Sequence, residues 1–176
     1  MSTKLEIKVI KKSQHGFLGK LMVDVYSKLE GFPSASEQPD YYKMLSNIGS
    51  LNEQKHTRVL VAEGPKNVIV GGVVYYDDMS MYGSGGSATQ EINASGIRLL
   101  CVDPRSRGMG VGKALTNECI RLAKSCGNRQ VILHTTQAME VAWNLYTKLG
   151  FERSTDLDFS QKGFPVFGFR LMLTGG

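Results

Sequence analysis

The segment from Ile97 to Lys113, Ile-Arg-Leu-Leu-Cys-Val-Asp-Pro-Arg-Ser-Arg-Gly-Met-Gly-Val-Gly-Lys, constrains the fold more than any other part of this chain. Its first six residues, apolar except for Arg98, predict a short buried strand ending at Asp103 and Pro104. A helical stripe of Val111, Leu115, Cys119, Leu122 and Cys126 follows at once, and Gly127 caps it. A strand that passes into a helix through glycines exposes unbonded N–H groups at the positive end of the helix dipole, which suits phosphate. Three phosphate-binding loops compete for this spacing. The pattern G-x-G-x-x-G starting at Gly108 and Gly110 meets Lys113 where it needs glycine, and no acid follows near residue 130. The G-x-x-x-x-G-K-[ST] loop meets Arg107 where it needs glycine and Ala114 where it needs a hydroxyl. What stands is R-x-x-G-x-G at Arg107, Gly110 and Gly112.

Around this segment the chain alternates strand and helix material. Leu5, Ile7 and Val9 alternate as a first strand, and Phe17, Leu18, Leu21, Met22, Val25 and Leu29 recur at helical spacing until Gly31 and Pro33. A further helical segment is expected over residues 41–48. Apolar runs at 59–62 and 68–76, split by Gly64, Pro65, Lys66 and Asn67, predict an antiparallel hairpin. Residues 77–95, with Gly83, Ser84, Gly85, Gly86 and Ser87, read as a flexible connection before strand material resumes at Ile97. Val131, Ile132 and Leu133 give the next strand. Ala138, Ala142, Leu145 and Leu149 give a helix stripe ending at Gly150, and a closing strand pair is expected around the turn at 163–165. A β-α-β-α unit within a mixed α/β sheet results, in one domain over residues 1–176.

Composition narrows the function classes. With 176 residues and 41% apolar content, the chain can bury a core without disulfides. Cys101, Cys119 and Cys126 are odd in number and fit no zinc or redox spacing, so they read as free thiols in a reducing compartment, and no metal site is expected. The charged N-terminal stretch and the shortness of every apolar run predict neither signal peptide nor membrane span, and hence a cytoplasmic location. The net charge of +5 is concentrated between residues 98 and 129, where Arg98, Arg105, Arg107, Lys113, Arg121, Lys124 and Arg129 face only Asp103 and Glu118. Such a concentration fits a local anion site. A nucleic-acid surface would want interleaved aromatics or a recognition helix, and the segment has neither.

With Leu99-Leu100-Cys101-Val102-Asp103-Pro104 before it, the R-x-x-G-x-G turn resembles the cofactor loop of the GNAT acyltransferases. A second match follows in the expected order, since Ala142-Trp143-Asn144-Leu145-Tyr146-Thr147-Lys148-Leu149-Gly150-Phe151 resembles the family's A-x-x-L-Y-x-K-x-G-F ending. The resemblance spans roughly residues 59–151. It implies a mixed, mainly antiparallel central sheet flanked by helices, with a splay between two parallel middle strands. It also implies acetyl-CoA as cofactor, its pantetheine arm along Leu100, Cys101 and Val102, and its pyrophosphate against Arg107, Gly108, Met109, Gly110, Val111, Gly112 and Lys113.

Acetyl transfer to an amine needs a neutral nitrogen, a stabilised oxyanion and a proton for the departing thiolate. The resemblance makes Tyr146 that acid. Many relatives place a basic glutamate either on the strand before the loop, where Gly96 stands, or at the end of the next strand, where His134 stands. Imidazole accepts protons near neutrality, so His134 is the candidate base, directly or through water. Met139 departs from a family asparagine at the helix start, and Cys101 is expected to be an inert packed thiol. The expected activity is N-acetylation of a primary amine, small-molecule or peptide, by direct attack in a ternary complex, without nucleic-acid or membrane partners. The reading admits a homodimer. The alternative is a non-catalytic acyl-CoA-binding regulatory or sensor domain. Acceptor choice is expected to lie in the N-terminal helices, residues 31–40 and residues 77–95, where Asp77, Asp78 and Glu91 offer charge for a cationic amine.

Overall fold

The computed structural model describes residues 4–136, 139–161 and 163–173. Among them run the strands β1 (Glu6–Val9), β2 (Thr57–Glu63), β3 (Ile69–Tyr76), β4 (Ala94–Val102), β5 (Gln130–Thr135), β6 (Glu152–Arg153), β7 (Phe159–Gln161) and β8 (Phe164–Met172). The helices are α1 (His15–Ser27), α2 (Pro39–Ser46), α3 (Val111–Ser125) and α4 (Glu140–Lys148). The strands join in the order β1-β2-β3-β4-β5-β8-β6, with β7 on β8. Strand β5 pairs antiparallel with β8, and β1 does so with β2, whereas β4 and β5 are parallel. The mixed, mainly antiparallel sheet and its parallel middle pair are those the sequence leads one to expect. Register pairs between β4 and β5 stop at Ile97↔Leu133, although β5 stays paired with β8 through Thr135↔Phe167.

Packing divides the chain into two compact units. The first comprises Met1–Gln54, Arg58–Val74 and Leu99–Glu118. Its core holds Leu18, Met22, Leu45, Ile48, Val59, Val61 and Leu115, all fully buried. Strand β2 reads as a continuous apolar run because Val59, Leu60, Val61 and Ala62 are all buried. Two glycines permit close approach. A Cβ added to Gly19 on α1 would stand 2.0 Å from the Ser46 carbonyl oxygen at the end of α2, and one on Gly71 would stand 2.7 Å from the Cys101 carbonyl. Helix α1 can therefore lie on α2, and β3 on β4, only without side chains there.

The second unit comprises Lys55–Thr57, Tyr75–Arg98 and Cys119–Gly176. Tyr75, Tyr82, Ile97, Ile132, Phe151 and Phe169 fill its core. Two expectations change here. Strand β4 starts at Ala94, ahead of the apolar run, because its first residues, Ala94, Ser95 and Gly96, are small and buried. Residues 77–93 are a packed loop with single turns at Met79–Met81 and Ala88–Gln90, pinned by Met79, Tyr82 and Ala88 in the core. The α3 stripe also ends earlier than its spacing suggests, since Ala123 is buried and Cys126 is exposed. Ala138, assigned to the α4 stripe, lies outside the described residues.

Candidate active site

In the first unit the turn between β4 and α3 is held at its start by Asp103. Its carboxylate accepts the Arg105 backbone N–H at 2.9 Å and pairs with the Arg105 guanidinium at 3.0 Å, while its own N–H donates to the Val70 carbonyl at 2.8 Å. The Arg105 hydrogen bond beside it holds the Asp103 carboxyl below the usual aspartate range. Gly108 and Gly110 then take φ of +81° and +80°, the left-handed region that favours glycine. A Cβ at either would meet nothing within 4 Å, so the space over the turn is open. The first helical bond of α3 runs from the Ala114 N–H to the Gly110 carbonyl at 2.9 Å. The N–H groups of Gly110, Val111, Gly112 and Lys113 thus find no acceptor among the described residues. Arg107 and Lys113 are exposed beside them. Four N–H groups without acceptors among the described residues, a helix dipole and two cations on an open surface are the chemistry that could hold a phosphate group.

The strand entering this turn is bent at Leu99, whose φ is +60°. A leucine in that region is strained by about 1–3 kcal/mol. Just beyond it, the Leu100 carbonyl accepts the Tyr26 hydroxyl of α1 at 2.9 Å. Leu100 and Val102 are partly exposed, whereas the Cys101 side chain is buried and its thiol is pushed up to about 12 by that burial. Cys101 is therefore protonated at neutral pH and serves as packing.

In the second unit Tyr146 lies on α4 with its ring edge against Phe151. Burial, with a smaller effect from Cys119, raises its pKa, so the phenol stays protonated. Its hydroxyl has no hydrogen-bond partner among the described residues, and the residue is buried. His134, near the end of β5, is engaged at both ring nitrogens. Nε2 lies 2.8 Å from the Leu157 carbonyl, which can only accept, so Nε2 carries the proton. In neutral His134, Nδ1 then accepts the Tyr82 hydroxyl at 2.9 Å. Desolvation is the main cause of a lowered His134 pKa. Leu157 is held in place by its neighbour Asp158, which pairs with Arg153 at 2.8 Å and accepts the Gly168 N–H.

Tyr82 and Arg98 are two neighbours of His134 that the sequence did not single out. Tyr82 sits inside a loop of turn-like composition, and nothing in its spacing marks it. A Cβ added to Gly96 would stand 2.4 Å from its ring, so Tyr82 fills the place where a side chain at 96 would point. Arg98, counted with the basic segment, donates to the Tyr82 carbonyl at 3.1 Å, and its guanidinium carbon lies 5.9 Å from the Tyr82 ring centroid. Met139 is the residue before α4 and makes no side-chain capping bond. Among the described residues no group of His, Cys, Asp and Glu is placed to hold a metal, and no helix is long and apolar enough to cross a membrane.

Known proteins resemble the chain in several ways. The mycothiol acetyltransferase of Amycolatopsis mediterranei is 38% identical over 78 residues, which cover 44% of this chain and 24% of that protein. The chain thus matches about a quarter of that curated relative's length. An acetyltransferase of the GNAT family from Staphylococcus aureus superposes with a TM-score of 0.75 at 19% identity, over 97% of this chain and 100% of that one. The PaiA N-acetyltransferase of Thermoplasma acidophilum, solved in complex with coenzyme A, gives a TM-score of 0.74 at 15% identity, over 97% and 99% of the two chains. The model of the acetyltransferase (GNAT) family matches residues 21–151, so the turn, Tyr146 and His134 all fall inside it. The chain belongs to the GNAT acetyltransferase family, whose acyl donor is acetyl-CoA.

Proposed function

We propose that this protein transfers the acetyl group of acetyl-CoA to a primary amine by direct attack, donor and acceptor being bound together. The observation that carries the proposal is the turn before α3, where four N–H groups lack acceptors among the described residues and Arg107 and Lys113 flank an open surface. Coenzyme A, when bound, supplies the acetyl group as an activated thioester. Residues 107–113 would hold its pyrophosphate, and the main chain of Leu100, Cys101 and Val102 its pantetheine arm.

Tyr146 keeps its proton at neutral pH and releases it from Oη to the departing sulfur. His134 takes up the proton that the ammonium form of the acceptor must lose. Nδ1 faces the Tyr82 hydroxyl, which is fully buried, so the proton reaches the imidazole as that hydroxyl turns away and frees Nδ1. The resulting imidazolium donates from Nδ1 to Tyr82 and from Nε2 to Leu157, and the Tyr82 hydroxyl turns toward the Ile97 carbonyl, 3.4 Å away. No protein nucleophile takes part, in keeping with the packed Cys101.

A panel of amino acids, polyamines, aminoglycosides and peptide N-termini, assayed with acetyl-CoA for thiol release and product mass, tests the proposal. Turnover of at least one class with intersecting initial-velocity lines is expected. Parallel lines would overturn direct attack. Calorimetric coenzyme A binding without any turnover would favour the non-catalytic acyl-CoA-binding domain.

A further inference from the structure

Arg98 is the first residue of β4 beyond its last register pair with β5, and His134 stands in the corresponding place on β5. Arg98 is the middle residue of β4 and His134 the last but one of β5, side by side where the two strands cease to pair. Arg98 is partly buried. Of its five donors, one on Nη1 reaches the Tyr82 carbonyl. The Tyr76 hydroxyl is a further hydrogen-bonding partner of the guanidinium, which leaves three of the five donors without a partner among the described residues. No carboxylate among the described residues forms an ion pair with Arg98. The acids that could neutralise it, or greet a cationic substrate, are committed elsewhere. Asp158 pairs with Arg153, Asp77 lies 2.7 Å from His56, Asp78 accepts the Ser80 N–H at 2.9 Å, and Glu91 pairs with Arg170 at 3.0 Å.

From this arrangement we infer that Arg98 receives a carboxylate of the acceptor, and that the substrate class is an amine bearing a carboxylate close to its nitrogen, as in an amino acid. This rests on the acetyl-transfer reading above. The planar guanidinium presents parallel N–H groups that match the two oxygens of a carboxylate. The same charge disfavours acceptors with several ammonium groups, because no acid is placed to compensate them. The neutral His134 beside Arg98 adds no second positive charge and remains able to take up the amine's proton.

The test compares L-amino acids with their α-carboxamides, and with spermidine, by kcat/KM at saturating acetyl-CoA. A charge-assisted bond of this kind predicts that acids exceed their amides by about 10- to 100-fold, chiefly through KM. In Arg98→Gln the ratio should collapse toward one. In Arg98→Lys, which keeps the charge and loses the fork, it should fall part of the way, and this variant carries the test if the glutamine variant does not fold. Amides or spermidine turned over as well as the acids would overturn the assignment, as would a ratio that neither variant moves. Failure to acetylate any amine, with coenzyme A still bound in calorimetry, would defeat the acetyl-transfer reading itself and so is a distinct result.

Discussion

At the scale of single residues, the proposed chemistry rests on hydroxyls and an imidazole whose protonation is set by burial. Tyr146 has no bond to give up among the described residues, so replacing it with phenylalanine removes a proton donor and leaves the packing against Phe151 in place. Tyr146→Phe is expected to lower turnover by about 10²- to 10⁴-fold with little change in acetyl-CoA affinity, as read by pre-steady-state kinetics and calorimetry. A variant that keeps its turnover when chemistry limits the rate would make Tyr146 structural. Tyr146 and His134 were legible because each falls at a motif position or a strand end. Tyr82 was not, because its role arises from tertiary packing: it occupies the space that Gly96 leaves, and glycine carries no record of what fills its missing side chain. Arg98 was legible as charge alone. Only the partners of Asp77, Asp78, Glu91 and Asp158 show that its charge is left over.

At the scale of elements, glycine serves two different purposes, and substitution separates them. Gly110 stands in open space with φ of +80°, so a valine there meets no clash but pays backbone strain of about 1–3 kcal/mol and covers the unbonded N–H groups. Gly110→Val should leave a folded protein with acetyl-CoA affinity at least tenfold weaker, and unchanged affinity in calorimetry would remove the turn from the cofactor site. Gly19 is the opposite case. Alanine improves intrinsic helix propensity by about 1 kcal/mol. Its Cβ would nevertheless overlap the Ser46 carbonyl, and such overpacking costs about 1–3 kcal/mol or more. Gly19→Ala should therefore lower the urea midpoint, and a raised midpoint would show that α2 yields freely. Strands and helices were mostly visible as periodic apolar runs. The start of β4 and the packed loop before it were hidden, because Ala94, Ser95 and Gly96 look like turn residues until their burial against Tyr75, Tyr82 and Met79 is seen.

At the scale of the whole molecule, the cost of holding His134 neutral becomes a dependence of stability on pH. Desolvation lowers its folded pKa below the ordinary value of 6.5, with the Leu157 bond opposing and the Arg98 charge reinforcing the shift. Above pH 6.5 the imidazole is neutral in both folded and unfolded chains, and the full stability is present. As pH falls below 6.5 the unfolded chain binds a proton that the folded chain refuses, so stability declines until the folded pKa is passed. The carboxylates with lowered pKa, among them Asp103, Asp156, Asp158 and Glu63, act in the same direction but only nearer their own lower range. The interval from about pH 6.5 to 5 therefore separates histidine from these carboxylates, and a His134 variant separates His134 from the other two histidines. His134→Gln offers an amide N–H to the Leu157 carbonyl and an oxygen to the Tyr82 hydroxyl, and it does not titrate. Urea midpoints measured across this interval should decline for the native chain and stay flatter for the variant, while the acid limb of kcat/KM, expected below pH 6.5 in the native chain, should vanish. Equal slopes in both proteins would mean that His134 is protonated as easily folded as unfolded. A limb that survives in the variant would assign proton uptake to another group, leaving the amine to react from its small free-base fraction.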